Sequence, residues 1–369
     1  MTDVGSQGVS ADTAQSLDDI EVFRARVGTR LSEFVTDQAS HLEDLGPHLT
    51  SLLAAANDAL RGGKRLRAAF CYWGWRAAGG GRDDDRIVTA AAAVEMLHAS
   101  ALAHDDVMDD SDTRRGRPAA HRGFAQLHRT GRWVGTADRF GTGAAILLGD
   151  LLLGWSDEML RTCGLDDAQV LRGLRYFDAL RTEVVAGQYL DLVAQSSGQT
   201  SVPQAMRVVR YKAAKYTVER PLHLGAALAG GDDALLAALT SYGLPLGEAF
   251  QLRDDVLGVF GDPEVTGKPA GDDLREGKRT VLMALARERA DADGQAELDR
   301  LFGHHRLEDH GVQQVRDIIK ASGALASVEE LISELTSAAI TSVQHLPVDD
   351  AEVRSALREL AEVATHRTW

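Results

Sequence analysis

The chain has 369 residues, 44% hydrophobic but only 5% aromatic, so a substantial core must be packed mostly from Ala and Leu. Its net charge of −15 argues against nucleic acid as a partner, and it would repel a small anion unless a local basic cluster or metal ions received it. Two cysteines, Cys71 and Cys163, make neither a disulfide framework nor a zinc signature and fit a reducing, cytoplasmic setting.

Residues 1–16 are polar and lack an apolar h-region, which predicts a disordered tail without a secretory signal. From Ile20 onward, apolar residues recur three and four apart (Val27, Leu31, Phe34, Val35), the pattern of an amphipathic helix. A second helix is predicted from Leu49 to about Leu60, ended by Gly62-Gly63. Long Ala/Leu segments follow, separated by turns at GGGRDDD, CGLDD, SSGQT and AGGDD. No alternating strand pattern appears, and the prolines fall mostly in turns. The reading is all-α, with residues 17–369 forming a single domain. No uninterrupted apolar run reaches membrane-spanning length, AAILLGDLLLGW being broken by Asp150, so no transmembrane segment is expected. The Gly- and charge-rich stretch from Asp262 to Arg279 reads as a long, functional connection.

The segment EMLHASALAHDDVMDDSDTRRGRP carries the sharpest chemistry. Asp105 and Asp109 lie four apart and share a helix face, where like charges repel. A divalent cation removes that penalty, and Mg²⁺ typically takes one or two carboxylates plus water and phosphate ligands. Arg114 and Arg115 follow at once and suit phosphate oxygens. Taken alone, the run also reads as a solvated acidic helix end. Upstream, Arg61-Gly-Gly-Lys64-Arg65-Leu-Arg67 places cations just before a predicted helix start, where free N–H groups favour an anion such as a diphosphate. A basic surface turn is the plainer reading of that segment. Glu95-x-x-His98 resembles a di-iron motif, but such sites need a second copy, which this chain lacks.

Gln188 and Asp191 share a face of another predicted helix, at a wet surface or a polar pocket. Gln251, Asp254 and Asp255 give a second acidic helix, which could face the first across a bundle. The stretch GDPEVTGKP is not a P-loop: its glycine spacing is wrong, and Pro269 stands where Ser or Thr is needed. Lys268 can still act as a point charge on phosphate. No Ser-His or Cys-His pairing suggests a nucleophile. Only six of the 40 basic residues are lysines. Lys64, Lys212, Lys268 and Lys278 all fall in or near these motifs.

The order GGKRLR, LHxxxLxHDDxxD, RRGxP, an isolated lysine, FQxxDD and two GK pairs resembles the trans-polyprenyl (isoprenyl) diphosphate synthases, geranylgeranyl diphosphate synthases in particular, over roughly residues 20–365. The resemblance implies a large helical bundle around a deep central cavity, the isoprenoid synthase fold, assembled as a homodimer. It implies a prenyltransferase that joins isopentenyl diphosphate to an allylic diphosphate with Mg²⁺, a cluster of three ions per site. Asp105, Asp109, Asp254 and Asp255 would hold metal, with Asp106 in support. Lys212, Gln251, Lys268, Lys278 and Arg114 would hold the allylic diphosphate. Gly63, Lys64, Arg67, His98 and Arg115 would hold isopentenyl diphosphate, and Gln188 and Asp191 would line the pocket near the reacting carbons.

In the family, aromatics four or five positions before the first aspartate shorten the product. Here Ala101 and Ser100 are small, with Leu97 and Met96 one turn back, which implies geranylgeranyl diphosphate (C20), a C25 or longer product being the alternative. Two positions depart from the family pattern. The second motif commonly ends in Asp, and here that place is Gly258. A hydroxyl residue commonly follows the isolated lysine, and here it is Ala213. A class I terpene cyclase on the same fold would have no use for the second diphosphate site. A non-catalytic regulatory subunit would have degraded aspartate motifs.

Overall fold

The computed structural model describes residues 11–198, 201–262, 271–304 and 306–365, with side chains from 21 onward. The first helix, α1, runs Ala11–His41. It therefore begins inside the stretch read as a tail, and residues 1–10 lie outside the described residues. The second helix, α2 (Leu49–Leu60), falls where its pattern placed it. Next come α3 (Leu66–Ala77), α4 (Asp85–Met108), α5 (Ala120–Thr130), α6 (Ala137–Arg161) and α7 (Asp167–Ser197).

The Asp-rich turns between these segments are helix starts. Asp84 accepts the Arg86 N–H ahead of α4, and Asp166 forms a capping box with Gln169 ahead of α7. Between α4 and α5, Thr113–Arg114 and Arg117–Pro118 pair as a short antiparallel hairpin, the one strand pairing among the described residues. Its two turn residues, Arg115 and Gly116, both have positive φ, as the tight primed turn requires.

A continuous helical rod follows. It consists of α8 (Val202–Val208), a π-helical segment (Val209–Glu219) and α9 (Arg220–Ala229). Pro221 stands where π returns to α; with no N–H to donate, it suits the first turn of α9. Then come α10 (Asp233–Phe260), α11 (Asp272–Glu276), α12 (Val281–Arg289), α13 (Ala292–Leu301), α14 (Asp309–Ala321), α15 (Ala324–Val343) and α16 (Ala351–Thr365). Pro203 stands in the first turn of α8 and Pro245 lies inside α10, so three prolines sit within helical runs rather than in turns. The connection expected from Asp262 to Arg279 contains α11, and residues 263–270, Lys268 among them, lie outside the described residues.

The core has two apolar clusters. The larger joins α1 to α7, α9, α16, the end of α15 and the first part of α10, and the smaller gathers the last part of α10 with α8, α11 to α14 and the start of α15. The Ala-rich composition explains the close helix approach: Ala90, Ala91, Ala92 and Ala93 of α4 are all fully buried. Fully buried Tyr242 donates its hydroxyl to the Leu357 carbonyl at 2.6 Å, tying α10 to α16. By length and hydropathy α4 could cross a membrane, but 78% of that window is buried inside the fold and the helix ends in the aspartates of the site.

Candidate active site

Five elements converge on the aspartates. Asp105 lies on the last turn of α4, and Asp109 follows as its C-cap. From α7, Gln188 donates to Asp105 Oδ1 at 2.9 Å. From the π segment, Lys212 Nζ lies 2.6 Å from Asp191 Oδ2 and 3.5 Å from Asp105 Oδ1. Beyond α11, Lys278 Nζ lies 3.4 Å from Asp109 Oδ2, 3.5 Å from Asp273 Oδ1 and 2.8 Å from Glu276 Oε2. The second motif, on α10, has Asp254 half-buried and Asp255 buried, with Gln251 donating to Asp255 Oδ1 at 2.7 Å.

Lys212 is placed by backbone packing. A Cβ on Gly187 of α7 would sit 2.4 Å from the Lys212 backbone nitrogen, so only glycine lets the two segments approach this closely. The π turn is the other device. Extra-wide turns inside helices are rare and recur at functional sites. Ala213 is buried, and the hydroxyl expected there is missing.

Asp106 is tied to the hairpin rather than to the lysines. It is buried and accepts Arg114 Nε at 2.8 Å, with a second, shorter bond from the same guanidinium. Arg114, which the resemblance assigned to diphosphate, is thus committed to Asp106 and stands 3.8 Å from Asp105. Gln251 is likewise occupied, by Asp255.

A second group of cations lies beside the first. Arg67 donates to Thr217 Oγ1 at 2.9 Å and lies over the Tyr216 ring at 4.6 Å. His98 Nδ1 is 3.2 Å from the Tyr216 hydroxyl. The hairpin carries Arg115 to the Arg61 carbonyl at 2.7 Å, with its guanidinium 3.0 Å from where a Cβ on Gly63 would be. Lys64 is exposed on the same turn. At the start of α3 one first-turn N–H is already used, since Ala68 donates to Glu95 Oε1 at 3.1 Å. Glu95 also pairs with buried Arg65 at 3.3 Å. The Glu95-x-x-His98 spacing therefore reflects a structural cap beside a pocket residue.

Electrostatics divide the carboxylates. Burial disfavours the Asp105 anion, but Lys212, Lys278 and Arg114 outweigh it and hold its pKa below the ordinary value. Burial, with Asp105 nearby, raises Asp109 to about 6. Burial raises Asp255 to about 8 against its bond from Gln251, with Asp273, Asp254 and Asp191 adding to the rise. Burial opposes the charge on Lys278, yet Asp273, Glu276, Asp109 and Asp105 push its pKa well above the usual lysine value. Burial, followed by Arg67, Arg115, Arg114 and Arg65, keeps His98 neutral.

The donor set fits a hard cation. Both oxygens of Asp109 are buried without a hydrogen bond, on a side chain only 3% exposed. Such a carboxylate is costly unless a cation meets it. No three His, Cys, Asp or Glu side chains among the described residues form a chelating group by themselves. Mg²⁺ draws most of its ligands from water and phosphate. On α4, Ser100 donates to the Gly149 carbonyl of α6 at 2.7 Å and is 2% exposed, Leu97 is buried, and Ala101 is half-buried.

Sequence reasoning missed Asp273, Glu276, Tyr216 and Thr217, and read Glu95 only as half of a rejected metal motif. Asp273 and Glu276 carried one signal, their place within five residues of Lys278. The others emerge only from tertiary packing.

This helical fold, with two aspartate motifs and lysines converging between them, defines a class of prenyl-transferring enzyme. The sequence profile of the polyprenyl synthetase family matches residues 50–319, and the chain belongs to that family and is a prenyltransferase. It is 33% identical over 339 residues to a geranylgeranyl diphosphate synthase of Mycobacterium tuberculosis, covering 91% of this chain and 90% of that one. It is 32% identical over 309 residues to a geranylfarnesyl diphosphate synthase of Aeropyrum pernix, covering 83% and 91%. Its fold superposes with a TM-score of 0.91 and 41% identity on a geranylgeranyl pyrophosphate synthase of Corynebacterium glutamicum solved with isoprenyl diphosphate and magnesium, covering 94% of this chain and 99% of that one.

Proposed function

We propose that this prenyltransferase condenses isopentenyl diphosphate with an allylic diphosphate, with Mg²⁺, to give all-trans geranylgeranyl diphosphate. The observation that carries the reading is the buried, unbonded Asp109 carboxylate, set between Asp105 and Lys278. Asp105, Asp109, Asp254 and Asp255 would hold the metal. When bound, Mg²⁺ offsets the charge that develops on the leaving diphosphate as the allylic C–O bond breaks.

The chain's own residues do the rest. Lys212 and Lys278, charged despite burial, present ammonium groups to the leaving diphosphate. Asp191 and Gln188 fix Lys212 and Asp105 against each other. Arg67, Lys64 and Arg115, with Gly63 and His98, receive isopentenyl diphosphate. His98, held neutral by burial and the neighbouring arginines, would offer the diphosphate a ring N–H rather than a charge. Holding the two substrates side by side lets the double bond attack the allylic cation. The proton lost afterwards passes to the released diphosphate. Lys268 would join the allylic site.

Small Ser100 and Ala101 support the C20 product, and the similarity to a geranylfarnesyl diphosphate synthase favours a longer chain as the second reading. The cation group around Arg67 speaks against a terpene cyclase, and the intact aspartates speak against a regulatory subunit. Free, buried Cys71 and Cys163 support a cytoplasmic setting. Exposed Leu147, Leu171, Val185, Tyr189 and Val193 on α6 and α7 support assembly as a homodimer.

The test is incubation with radiolabelled isopentenyl diphosphate, Mg²⁺ and geranyl or farnesyl diphosphate, followed by product chromatography. A C20 product is expected. Longer products would overturn the chain-length reading. Diphosphate release without isopentenyl incorporation would indicate a cyclase, and inactivity of the pure protein a regulatory subunit.

A further inference from the structure

Lys215 lies three residues after Lys212, yet its ammonium is engaged elsewhere, 3.0 Å from Glu183 Oε1 on α7. The same carboxylate receives Arg220, the first residue after the π segment. Arg220 donates from Nε to Oε2 at 2.7 Å and from Nη2 to Oε1 at 2.6 Å. All three side chains are largely buried, between 15% and 18% exposed. Burial opposes the charge on Glu183, but Arg220 and Lys215 outweigh it and hold the carboxyl below its ordinary pKa. Arg220 also meets His223 Nδ1 at 3.2 Å, and His223 Nε2 reaches the Leu236 carbonyl of α10 at 3.1 Å.

The two cations are five residues apart. On an α-helix, positions five apart stand about 140° apart around the axis, so one carboxylate is poorly placed to serve both. A π turn is closed by a hydrogen bond between residues five apart, which brings their side chains toward one face. The Arg220 N–H donates to the Lys215 carbonyl, so the pair gripped by Glu183 is the pair that closes the last π turn. Return to the α register would carry Lys215 and Arg220 apart and break the shared ion pair.

Glu183 also lies four residues before Gly187, on the same face of α7. Gly187 packs against the Tyr211 and Lys212 backbone. The π segment therefore meets α7 at two points, by close packing at Lys212 and by charge at Lys215 and Arg220. Across from them, Gly243 and Gly247 of α10 lie against the backbone of Glu219 and Ala214. Of these contacts, the Glu183 clamp is the one whose spacing distinguishes π from α.

We infer that Glu183 is a positioning residue for Lys212: by gripping Lys215 and Arg220 together it fixes the π register, and that register delivers the Lys212 ammonium to Asp191 and Asp105. The inference rests on the reading above that Lys212 serves the allylic diphosphate. The competing role for Glu183 is a brace that only stabilises the packing of α7 on α9.

The experiment is steady-state kinetics of the full chain with isopentenyl diphosphate and geranyl or farnesyl diphosphate, well below the melting point of every variant. Glu183→Gln keeps the shape of the side chain and loses its charge. It should lower kcat/KM for the allylic substrate about 10–100-fold, because a misplacement of about 1 Å can cost that much. Its KM for isopentenyl diphosphate should stay within about twofold of wild type. Arg220→Gln should share this signature, and the double variant should be no worse than the poorer single one, since both open one clamp. Lys215→Gln leaves the bidentate Arg220 pair in place and should show the same selective loss in milder form, which keeps the test open if Glu183→Gln folds poorly. Tyr242→Phe, which loses the bond between α10 and α16, is the reference for reduced stability alone. An allylic loss in Tyr242→Phe as large as in Glu183→Gln would reduce Glu183 to a brace and overturn the inference. Losses that add in the double variant, or that fall equally on both substrates, would overturn it as well. Lys212→Ala separates the two levels: if it spares allylic use, the reading beneath this inference fails, and if it impairs allylic use while Glu183→Gln does not, this inference alone fails.

Discussion

Gly187→Ala is a small change on α7 with a large expected effect on catalysis. The added methyl would sit 2.4 Å from the Lys212 nitrogen, where ordinary contact begins at 3.4 Å, so about 1 Å must open between α7 and the π segment. The nearest atoms are backbone on both sides, so no flexible side chain can yield. Overpacking of this kind costs about 1–3 kcal/mol, while exchanging Gly for Ala inside a helix returns up to about 1 kcal/mol. Net stability should therefore fall modestly, by about 0–2 kcal/mol. Catalysis should fall further. Lys212 Nζ is placed 2.6 Å from Asp191 and 3.5 Å from Asp105, and a misplacement of about 1 Å can cost about 100-fold in rate. The assay is steady-state kinetics with isopentenyl diphosphate and an allylic diphosphate, alongside thermal melting. Gly123→Ala is the control, because a Cβ at that α5 position meets nothing within 4 Å; it should leave kinetics unchanged and melting equal or higher. If Gly187→Ala matches Gly123→Ala in both readouts, the close packing does not position Lys212.

The other expectations follow from the same geometry. Asp105→Ala or Asp254→Ala should cut turnover by orders of magnitude while circular dichroism is preserved, and excess EDTA should abolish wild-type activity; full activity in EDTA would refute the metal assignment. Arg67→Ala should chiefly raise KM for isopentenyl diphosphate and Lys212→Ala should chiefly impair use of the allylic substrate, an assignment that equal effects on both substrates would undo. In metal-free protein, Asp255 moves from an ordinary 3.8 to about 8, so its contribution to stability is complete below the lower value and drains away as pH rises toward the higher one. The slope from this group approaches about 1.4 kcal/mol per pH unit inside that window. Asp255→Asn should flatten it in pH-dependent melting, and an unchanged slope would contradict the burial argument. Ser100→Phe should shift products toward shorter chains, because the ring must displace either α6 at Gly149 or the growing chain; an unchanged distribution would show that position 100 does not bound the tunnel.

How much of this was readable in the chain depended on whether the signal lay along one helix. The α2 limits and the all-α class followed from three- and four-residue periodicity. The Asp105/Asp109 pair followed from the spacing that puts two carboxylates on one face. Arg65 and Arg67 look equivalent in GGKRLR, yet the left-handed backbone at Arg65 turns it into the core against Glu95, while Arg67 faces Tyr216. No local rule separates them, because the choice is made by α4 packing across them. The π register around Lys212 was equally hidden, and the glycine packed against that segment, Gly187, comes from a different helix.

Gly258 shows the limit most directly. Along α10 the missing side chain reads as a lost carboxylate, because a motif at fixed spacing describes only one helix. The catalytic space is shared by several. A carboxylate can enter that space from any element whose backbone passes within a side-chain length, provided the position it replaces is small enough to admit it. Glycine at 258 is what admits Asp273. The close approach of Asp273 to Gly258 is a packing event between two helices, visible only when both are placed together.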